Sequence, residues 1–389
     1  MATVVLVYCP DYDYSNVKAA VEQGLGLLGG VNAFADPGEQ LLLKPNLVTA
    51  DPPEKCVTTH PAVFKAVAEV LLNSGIRVTY GDSPALGNVK TAVKKSGLQA
   101  VADELGIDLA DFKTGEKVFF EAGHQNRRFV VARGVLAADG VISLPKLKTH
   151  GLERLTGCIK NQFGCIPGVL KGEFHARLPD AEDFARMLVD LNRFIHPRLY
   201  IMDGIHAMEG NGPRSGTVRP MNVLLFSQDP VALDATVCRM IDLRPEFVPT
   251  VLVGHQTGAG TYLESDIHLA GDPLSRFRTD RFEVEKTPVT PFKETRWYRM
   301  LHRHLVAKPY ISGQLCIRCG MCVKMCPATP KALVWEDDTH ELPPAYQYDH
   351  CIRCFCCQEI CPESAVALKV PLLRRMVNPL ARWTARVQG

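Results

Sequence analysis

The sequence has almost no excess of charge of either sign and no long apolar run. Its 44 Lys and Arg residues nearly balance its 42 Asp and Glu residues, which leaves a formal net charge of +2. Because a nucleic-acid backbone is strongly acidic, this balance argues against nucleic acid as a partner of the whole protein. No apolar stretch reaches the roughly 20 residues that a membrane-spanning helix needs, so the sequence predicts no transmembrane segment.

Several signatures of common enzymes are also missing. There is no GxxxxGK[ST] loop, the mark of a P-loop nucleotide site, and no HExxH or GxSxG motif. Gly24 and Gly26 form a GxG pair, but they lie at the end of a predicted helix rather than between a strand and a helix. The sequence therefore gives little support to a Rossmann dinucleotide site.

The chain has 14 cysteines, yet it lacks the dense cysteine framework of a small secreted protein. Five of them are scattered before residue 290: Cys9, Cys56, Cys158, Cys165 and Cys238. Residues 1–8 are too short for a signal peptide, and they are typical of a buried strand. We therefore expect a protein of a reducing compartment, the cytoplasm.

Eight of the remaining cysteines form two copies of the spacing Cys-x2-Cys-x2-Cys-x3-Cys-Pro. The first copy has Cys316, Cys319, Cys322 and Cys326, and the second has Cys351, Cys354, Cys357 and Cys361. This is the ligand pattern of bacterial-type ferredoxins, in which the fourth cysteine of each run ligates the other run's cluster. Zinc can be held by two CxxC pairs, but it does not require a third cysteine and a fourth before proline, twice. The sequence predicts two 4Fe-4S clusters.

The crossed ligand pattern assigns four cysteines to each cluster. The first cluster is expected on Cys316, Cys319, Cys322 and Cys361, and the second on Cys351, Cys354, Cys357 and Cys326. Cys356, inside the second run, is expected to be a packed thiol rather than a ligand. Between the runs, residues 327–350 predict a β-hairpin, in which Trp335, Tyr346 and Tyr348 shield a cluster from water.

The first 290 or so residues alternate short apolar runs with amphipathic stretches. The apolar runs at 4–8, 41–43, 76–80, 141–144, 199–202 and 223–226 are typical of strands buried on both faces. Helical patterns occur at 17–28, 62–73, 181–194 and 231–241. This alternation predicts an α/β fold with a largely parallel sheet, followed by a small α+β ferredoxin-like domain.

Polar residues follow five of these predicted strands, where open parallel sheets bind their ligands. They occupy 44–46, 81–84, 145–150, 203–213 and 227–230. Turn chemistry explains the Gly, Pro, Asp and Asn residues, but it explains the lysines and histidines poorly. A further polar turn, at 157–165, contains a Lys-Asn pair. The candidate catalytic residues are Lys148, His150, Lys160, Asn161, Asp203 and Glu209.

Lysines beside glycine-rich turns suit an anionic group such as a carboxylate or phosphate, and histidine is an acid or base near neutral pH. Each of these residues could equally be structural: a lysine on a solvated surface, or a hydrogen-bonded histidine. Cys158 and Cys165 bracket the Lys-Asn turn, and we expect both to be buried as small apolar residues.

The motifs of the first part resemble the domain family of unknown function numbered 362. They are TTHP at 58–61, GDSP at 81–84, PKLKTH at 145–150, KNQFG at 160–164, MEGNGP at 208–213 and DPVALDA at 229–235. The resemblance spans nearly all of residues 1–292 and implies an architecture, often with a two-cluster ferredoxin module, but no reaction. The family is also distantly similar in fold to lactate racemase.

Four segments are predicted. Residues 1–292 form the α/β domain, 293–308 a basic amphipathic connector, 309–370 the ferredoxin-like domain with two 4Fe-4S clusters, and 371–389 a basic amphipathic tail. The tail is expected to dock on the protein itself, with an acidic partner or an anionic membrane surface as the alternatives.

The leading functional hypothesis is an oxidoreductase. A redox partner protein supplies electrons, and the two clusters pass them to an anionic small molecule on the α/β domain. The first alternative is a non-enzymatic electron carrier or an assembly or maturation factor, which needs no pocket of Lys, His and carboxylate residues. The second is a metal-dependent racemase or isomerase, which would leave the clusters without an electron-transfer role.

Overall fold

The computed structural model describes residues 1–85, 87–168, 170–289 and 306–369. The strands are β1 Ala2–Tyr8, β2 Gln40–Pro45, β3 Arg77–Tyr80, β4 Asp108–Leu109, β5 Gly115–Phe119, β6 Arg128–Ala132, β7 Gly140–Leu144, β8 Lys146–His150, β9 Arg154–Thr156, β10 Leu199–Glu209, β11 Thr217–Ser227, β12 Ile267–Gly271, β13 Lys308–Ile311, β14 Leu333–Val334, β15 Ala345–Tyr346 and β16 Val366–Lys369.

The α-helices are α1 Tyr14–Leu27, α2 Pro61–Asn73, α3 Val89–Lys95, α4 Leu98–Leu105, α5 Arg133–Leu136, α6 Cys158–Asn161, α7 Leu170–Arg177, α8 Ala181–Ile195, α9 Pro230–Met240, α10 Pro249–Gln256, α11 Met321–Lys324 and α12 Cys356–Glu359. Short 3-10 turns occur at Val31–Ala33, Pro53–Lys55, Gln162–Cys165, Pro245–Phe247, Glu264–Asp266 and Leu274–Arg276.

A ten-stranded sheet forms the centre of the α/β domain, in the order β12-β1-β11-β10-β7-β2-β3-β4, with β8 on β10 and β9 on β8. The pairs between β10, β7, β2, β3 and β4 are parallel. The pairs that β11 makes with β1 and β10, and the β8–β9 pair, are antiparallel. The fold class predicted from the sequence is confirmed as a mixed, mostly parallel sheet.

The two faces of the sheet bury separate cores because strand side chains alternate in direction. In β1, Val4 and Leu6 pack into one core, and Val5 and Val7 pack into the other. Helices α8, α9 and α10 cover the first face, and α1, α2 and α4 cover the second. The sheet is therefore sandwiched between two helical layers, which leaves its edges and strand ends for a binding site.

The prediction that residues 227–230 share an edge with the other polar strand ends is wrong. β11 runs antiparallel to its neighbours β1 and β10, so its carboxyl end lies at the opposite edge of the sheet. Asp229 caps α9 there: its Oδ1 accepts hydrogen bonds from the backbone N–H groups of Val231 and Ala232, both at 2.9 Å. A pattern of apolar runs predicts where strands occur, but it does not indicate that one of them, β11, runs antiparallel to its neighbours.

Two other segments that we expected to follow strands belong to strands themselves. Residues 146–150 form β8, and β10 continues through residue 209. The side chains of both segments therefore lie on strands at the sheet edge and not on loops.

The cysteine-rich region is built around two short antiparallel pairs. β13 pairs with β16, and β14 pairs with β15, which confirms the hairpin predicted between the cysteine runs. The third cysteine of each run lies in a one-turn helix, Cys322 in α11 and Cys357 in α12. The predicted connector lies mostly outside the described residues and the predicted tail entirely outside them, so both stay predictions. Within the described ranges, no helix is both long and apolar enough to cross a membrane.

Candidate functional site at the interface of the two domains

The cysteine-rich domain lies on the polar edge of the sheet. Gln358 donates from Nε2 to the backbone oxygens of Asn211 and Gly212, at 3.1 and 2.8 Å. Arg214 donates to the backbone oxygen of Ile360 at 2.8 Å and also pairs with Asp51 at 2.8 Å. The motif at 208–213 therefore forms part of the surface on which the second domain docks.

Four cysteines line one small cavity of the cysteine-rich domain: Cys316, Cys319, Cys322 and Cys361. Three belong to the first run and one to the second, which agrees with the crossed assignment. Among the residues that the structure describes, no three Cys, His, Asp or Glu side chains are grouped so that they could hold a single metal ion. A 4Fe-4S cluster is wider than one ion, so its ligands surround a space, as these four cysteines do. The ligand set of the second cluster stays a prediction.

The two cysteine loops share an unusual backbone. Arg318 and Arg353 occupy the same place in their runs, and both have a positive φ, at 59° and 58°. The residues after the second cysteine, Gly320 and Phe355, also have a positive φ, at 68° and 61°. Left-handed residues turn successive backbone N–H groups toward a common point, where they bind anions. The repeated geometry suits two sites for thiolate-bound, negatively charged clusters.

Aromatic side chains pack against these loops, and their predicted role in shielding a cluster from water stays a prediction. The Tyr346 hydroxyl donates to Sγ of Cys357 at 3.2 Å. The ring of Trp335 packs against Gly320, next to Cys319, and stacks on His340. Such contacts control water access and hydrogen bonding at the sulfurs, and both factors tune the potential of a bound cluster.

A cavity of about 100 Å³ lies between the two domains. From the α/β domain its polar lining includes Asp82, Ser83, Lys160, Asn161, Lys171 and His175. From the cysteine-rich domain its lining includes Met325, Cys356, Glu359 and Ile360. A single water takes roughly 10–15 Å³ of such space, so the cavity has room for a small organic molecule.

Lys160 is a half-buried cation in the lining of this cavity. Its ammonium group makes no hydrogen bond or ion pair with any residue that the structure describes, and it lies 5.9 Å from the ring centroid of Phe163. An unpaired, partly buried ammonium group attracts anions strongly because water screens it poorly there. That an anion binds beside Lys160 stays a prediction.

Three other charged groups near the cavity pair with the protein itself. Lys44 and Asp82 form a buried ion pair at 3.0 Å. Lys171 donates to the backbone oxygen and the hydroxyl of Ser83 and to the backbone oxygen of Ile166, at 2.8–3.0 Å. Burial lowers the pKa of Lys171 to about 7, although Asp82 opposes the shift. These three charged groups are therefore engaged within the α/β domain.

His150 joins the two domains through Glu359. Its Nδ1 accepts hydrogen bonds from the backbone N–H groups of Leu152 and Glu153, both at 3.1 Å, so the ring proton lies on Nε2. Nε2 is 2.7 Å from Oε1 of Glu359. Burial, with Lys160 nearby, lowers the pKa of His150 to about 4. Burial alone would raise the pKa of Glu359, but His150 and Lys160 hold that pKa below its usual range.

Lys148 and Asn161 form part of one buried hydrogen-bond chain. Lys148 donates to Oδ1 of Asn46 at 2.6 Å, and Asn46 donates to Oδ1 of Asn161 at 3.0 Å. Asn161 in turn donates to Ser143 at 2.9 Å. Asn46 and Asn161 line the cavity, whereas Lys148 stands behind them and is fully buried. Lys148 thus positions Asn46 rather than facing the cavity.

Asp203 and Glu209 lie apart from the cavity lining. Asp203 pairs with Lys146 at 2.8 Å and accepts a hydrogen bond from the Tyr12 hydroxyl at 2.8 Å. Glu209 accepts a hydrogen bond from the backbone N–H of Glu283 at 2.9 Å. Of the six candidate catalytic residues, the structure brings Lys160 and Asn161 into the cavity lining and His150 against the lining residue Glu359. It places Lys148 behind Asn46 and leaves Asp203 and Glu209 elsewhere.

Sequence reasoning missed Lys171, His175, Cys356 and Glu359 as lining residues. Lys171 and His175 are four residues apart on α7, so they share a helix face, and this spacing was the available signal. Glu359 lies between two predicted ligands, Cys357 and Cys361, and the cysteine spacing gives no signal for a lining carboxylate at this position. As expected, Cys158 and Cys165 are fully buried.

Comparisons with solved structures give remote likenesses. The lactate racemase apoprotein from Thermoanaerobacterium thermosaccharolyticum aligns with a TM-score of 0.40 and 13% identity, over 59% of this chain and 55% of that one. A Thermotoga maritima protein aligns with a TM-score of 0.31 and 12% identity, over 57% of this chain and 56% of that one. The chain thus spans little more than half of either structure.

Comparisons with sequences are much stronger. The thylakoid-associated protein sll1697 of Synechocystis sp. is 35% identical over 257 residues, which cover 66% of this chain and 79% of that protein. Residues 308–362 match a 4Fe-4S dicluster domain, so this is an iron–sulfur protein. Residues 41–239 match the domain of unknown function DUF362, and the chain belongs to this family.

Proposed function

We propose that this protein is an oxidoreductase that reduces a small anionic molecule in the cavity between its two domains. The observation that carries the proposal is the composition of the cavity wall. One side presents Lys160, and the other presents Cys356, which is adjacent in sequence to Cys357, a predicted ligand of the second cluster. A molecule held by Lys160 therefore lies beside the cluster-binding loop.

Two 4Fe-4S clusters, when bound, supply electrons one at a time. A two-electron reduction needs two electrons and two protons for each substrate molecule. The Lys160 ammonium group stabilises the negative charge that grows on the substrate as electrons arrive, in a site from which most water is excluded. Lys171 directs its three N–H groups at Ser83 and Ile166, so solvent supplies both protons.

An electron donor has an exposed surface available at the other cluster. Cys319 is exposed, and so are Leu315, Ile317 and Leu342, with 52%, 60% and 58% of their surface accessible. Apolar groups around an exposed cluster edge suit transient docking of a redox partner protein. We propose that electrons enter from such a partner here and leave at the interdomain cavity. Location in the cytoplasm stays a prediction.

The proposal is tested anaerobically. The full-length protein with its clusters is reduced with dithionite, freed of excess reductant, and mixed with fractions of small anionic metabolites while cluster absorbance is followed. We expect rapid reoxidation by one fraction. Reoxidation by no fraction, together with fast electron exchange with a redox protein, would contradict the proposal and favour the electron carrier.

A further inference from the structure

Three polar groups that line the interdomain cavity have no hydrogen-bond or ion-pair partner among the described residues, and a fourth, Glu359, has only His150. Oγ1 of Thr156 and Nδ1 of His175 are buried without a hydrogen-bond partner. Lys160 is unpaired, and the Glu359 carboxylate contacts His150 and makes no other polar contact within the described ranges. Buried polar groups in folded proteins nearly always have partners, so these two buried atoms, beside Lys160 and Glu359, indicate a ligand with several polar groups of its own.

The free charges of the cavity have opposite signs and come from different domains. Lys160 belongs to α6 of the α/β domain, and Glu359 ends α12 of the cysteine-rich domain. Lys171 does not compete with Lys160 for an anion, because its three N–H groups already bond to Ser83 and Ile166. A ligand that fills the space therefore meets one cation and one carboxylate that have no ion-pair partner among the described residues of their own domain.

We infer that the substrate carries an anionic group, bound by Lys160, and a hydroxyl or ammonium group that donates a hydrogen bond to Glu359. This inference rests on the proposed function, since it concerns the same cavity. A molecule that is anionic at both ends is excluded, because its second charge meets the Glu359 carboxylate. The cavity volume of about 100 Å³ suits a small molecule of roughly ten non-hydrogen atoms or fewer.

Hydrogen bonds to charged groups contribute about 1.5–3 kcal/mol, which corresponds to a factor on the order of 10 to 100 in affinity. The donor group of the substrate should contribute a factor of this size. Glu359 is thus a specificity-determining residue supplied by the cluster-binding domain, and it ties substrate recognition to correct docking of the two domains.

Calorimetric titration of the oxidised, full-length protein with matched small acids tests the inference. Within each set, every compound has one carboxylate or phosphate group, and the compounds differ at one position. The sets are acetate, glycolate and glycine; propionate, lactate and alanine; and ethyl phosphate and phosphoethanolamine. In at least one set we expect a compound with a donor group to bind about 10-fold or more tightly than the member that lacks one. Glu359→Gln should reduce the preference for ammonium, and Lys160→Met should weaken binding of every member.

The control is Glu363→Gln, which removes an exposed carboxylate equally near the predicted ligand Cys361 and should leave the preference unchanged. Equal affinity within every set, or no binding in any set, overturns the inference. Since no electrons move in this assay, discrimination without reoxidation of the reduced protein would retain the inference and reject the proposed reduction. Reoxidation without discrimination would retain the proposed reduction and reject the inference.

Discussion

Replacing Lys160 with methionine is expected to slow substrate-driven oxidation of the reduced protein by a factor on the order of 100. The expected size follows from other enzymes, in which removal of one group that stabilises developing negative charge costs about 100- to 1,000-fold in rate. Methionine keeps the length of the side chain and its apolar contact with Phe163, so the change is mainly one of charge. Stopped-flow absorbance of the clusters measures the rate.

A matched control separates this effect from a general loss of positive charge. Lys94 is exposed at the end of α3, so Lys94→Met should leave the rate unchanged. The visible spectrum of both variants should match the wild type, because neither lysine is a predicted cluster ligand. Wild-type rates in Lys160→Met would show that this lysine does not bind the substrate.

Paired cysteine substitutions are expected to give sharply different iron contents. Cys319 and Cys361 line the same cavity, although they belong to different runs. Cys319→Ala with Cys361→Ala should remove one cluster and retain about half of the iron. Cys354→Ala with Cys361→Ala should remove both clusters and retain almost none, although these two residues share a run.

Iron and acid-labile sulfide analysis of the purified variants measures this difference. Cys238→Ala is a control, since this buried cysteine lies in α9 of the α/β domain, and it should keep the full iron content. If instead the pair of Cys354→Ala and Cys361→Ala keeps half of the iron, each run holds its own cluster and the crossed assignment is wrong.

Features encoded by short-range patterns were predictable from the sequence. The cysteine spacing predicts cluster chemistry because a tight loop brings three thiolates together over only seven residues. Apolar runs predict the central strands because burial on both faces leaves no polar positions within them. The predicted hairpin between the runs also depends on residues close in sequence.

The composition of the cavity was not predictable in the same way. Glu359 and Lys160 are separated by 199 positions and meet only because the second domain docks on the sheet edge. The sequence distinguishes poorly between a lysine that lines a cavity and one behind it, so it predicts Lys148 and Lys160 equally as catalytic residues. The hydrogen bond from Lys148 to Asn46 assigns them different positions. Likewise, the antiparallel direction of β11 follows from long-range pairing.

The central claim is that substrate accepts electrons in the interdomain cavity, and filling that cavity tests it most directly. Gly172 lines the cavity, and a Cβ added there meets no atom within 4 Å, so leucine can enter the space without displacing the backbone. Gly26, in α1, also has no atom within 4 Å of an added Cβ, and Gly26→Leu is therefore the matched control.

The measurement is the rate at which the metabolite fraction that oxidises the reduced wild-type protein oxidises each variant. We expect Gly172→Leu to stay reduced, with unchanged iron content and spectrum, and Gly26→Leu to be oxidised at the wild-type rate. Oxidation of Gly172→Leu at the wild-type rate would contradict the claim, because electrons would then leave the protein by another surface.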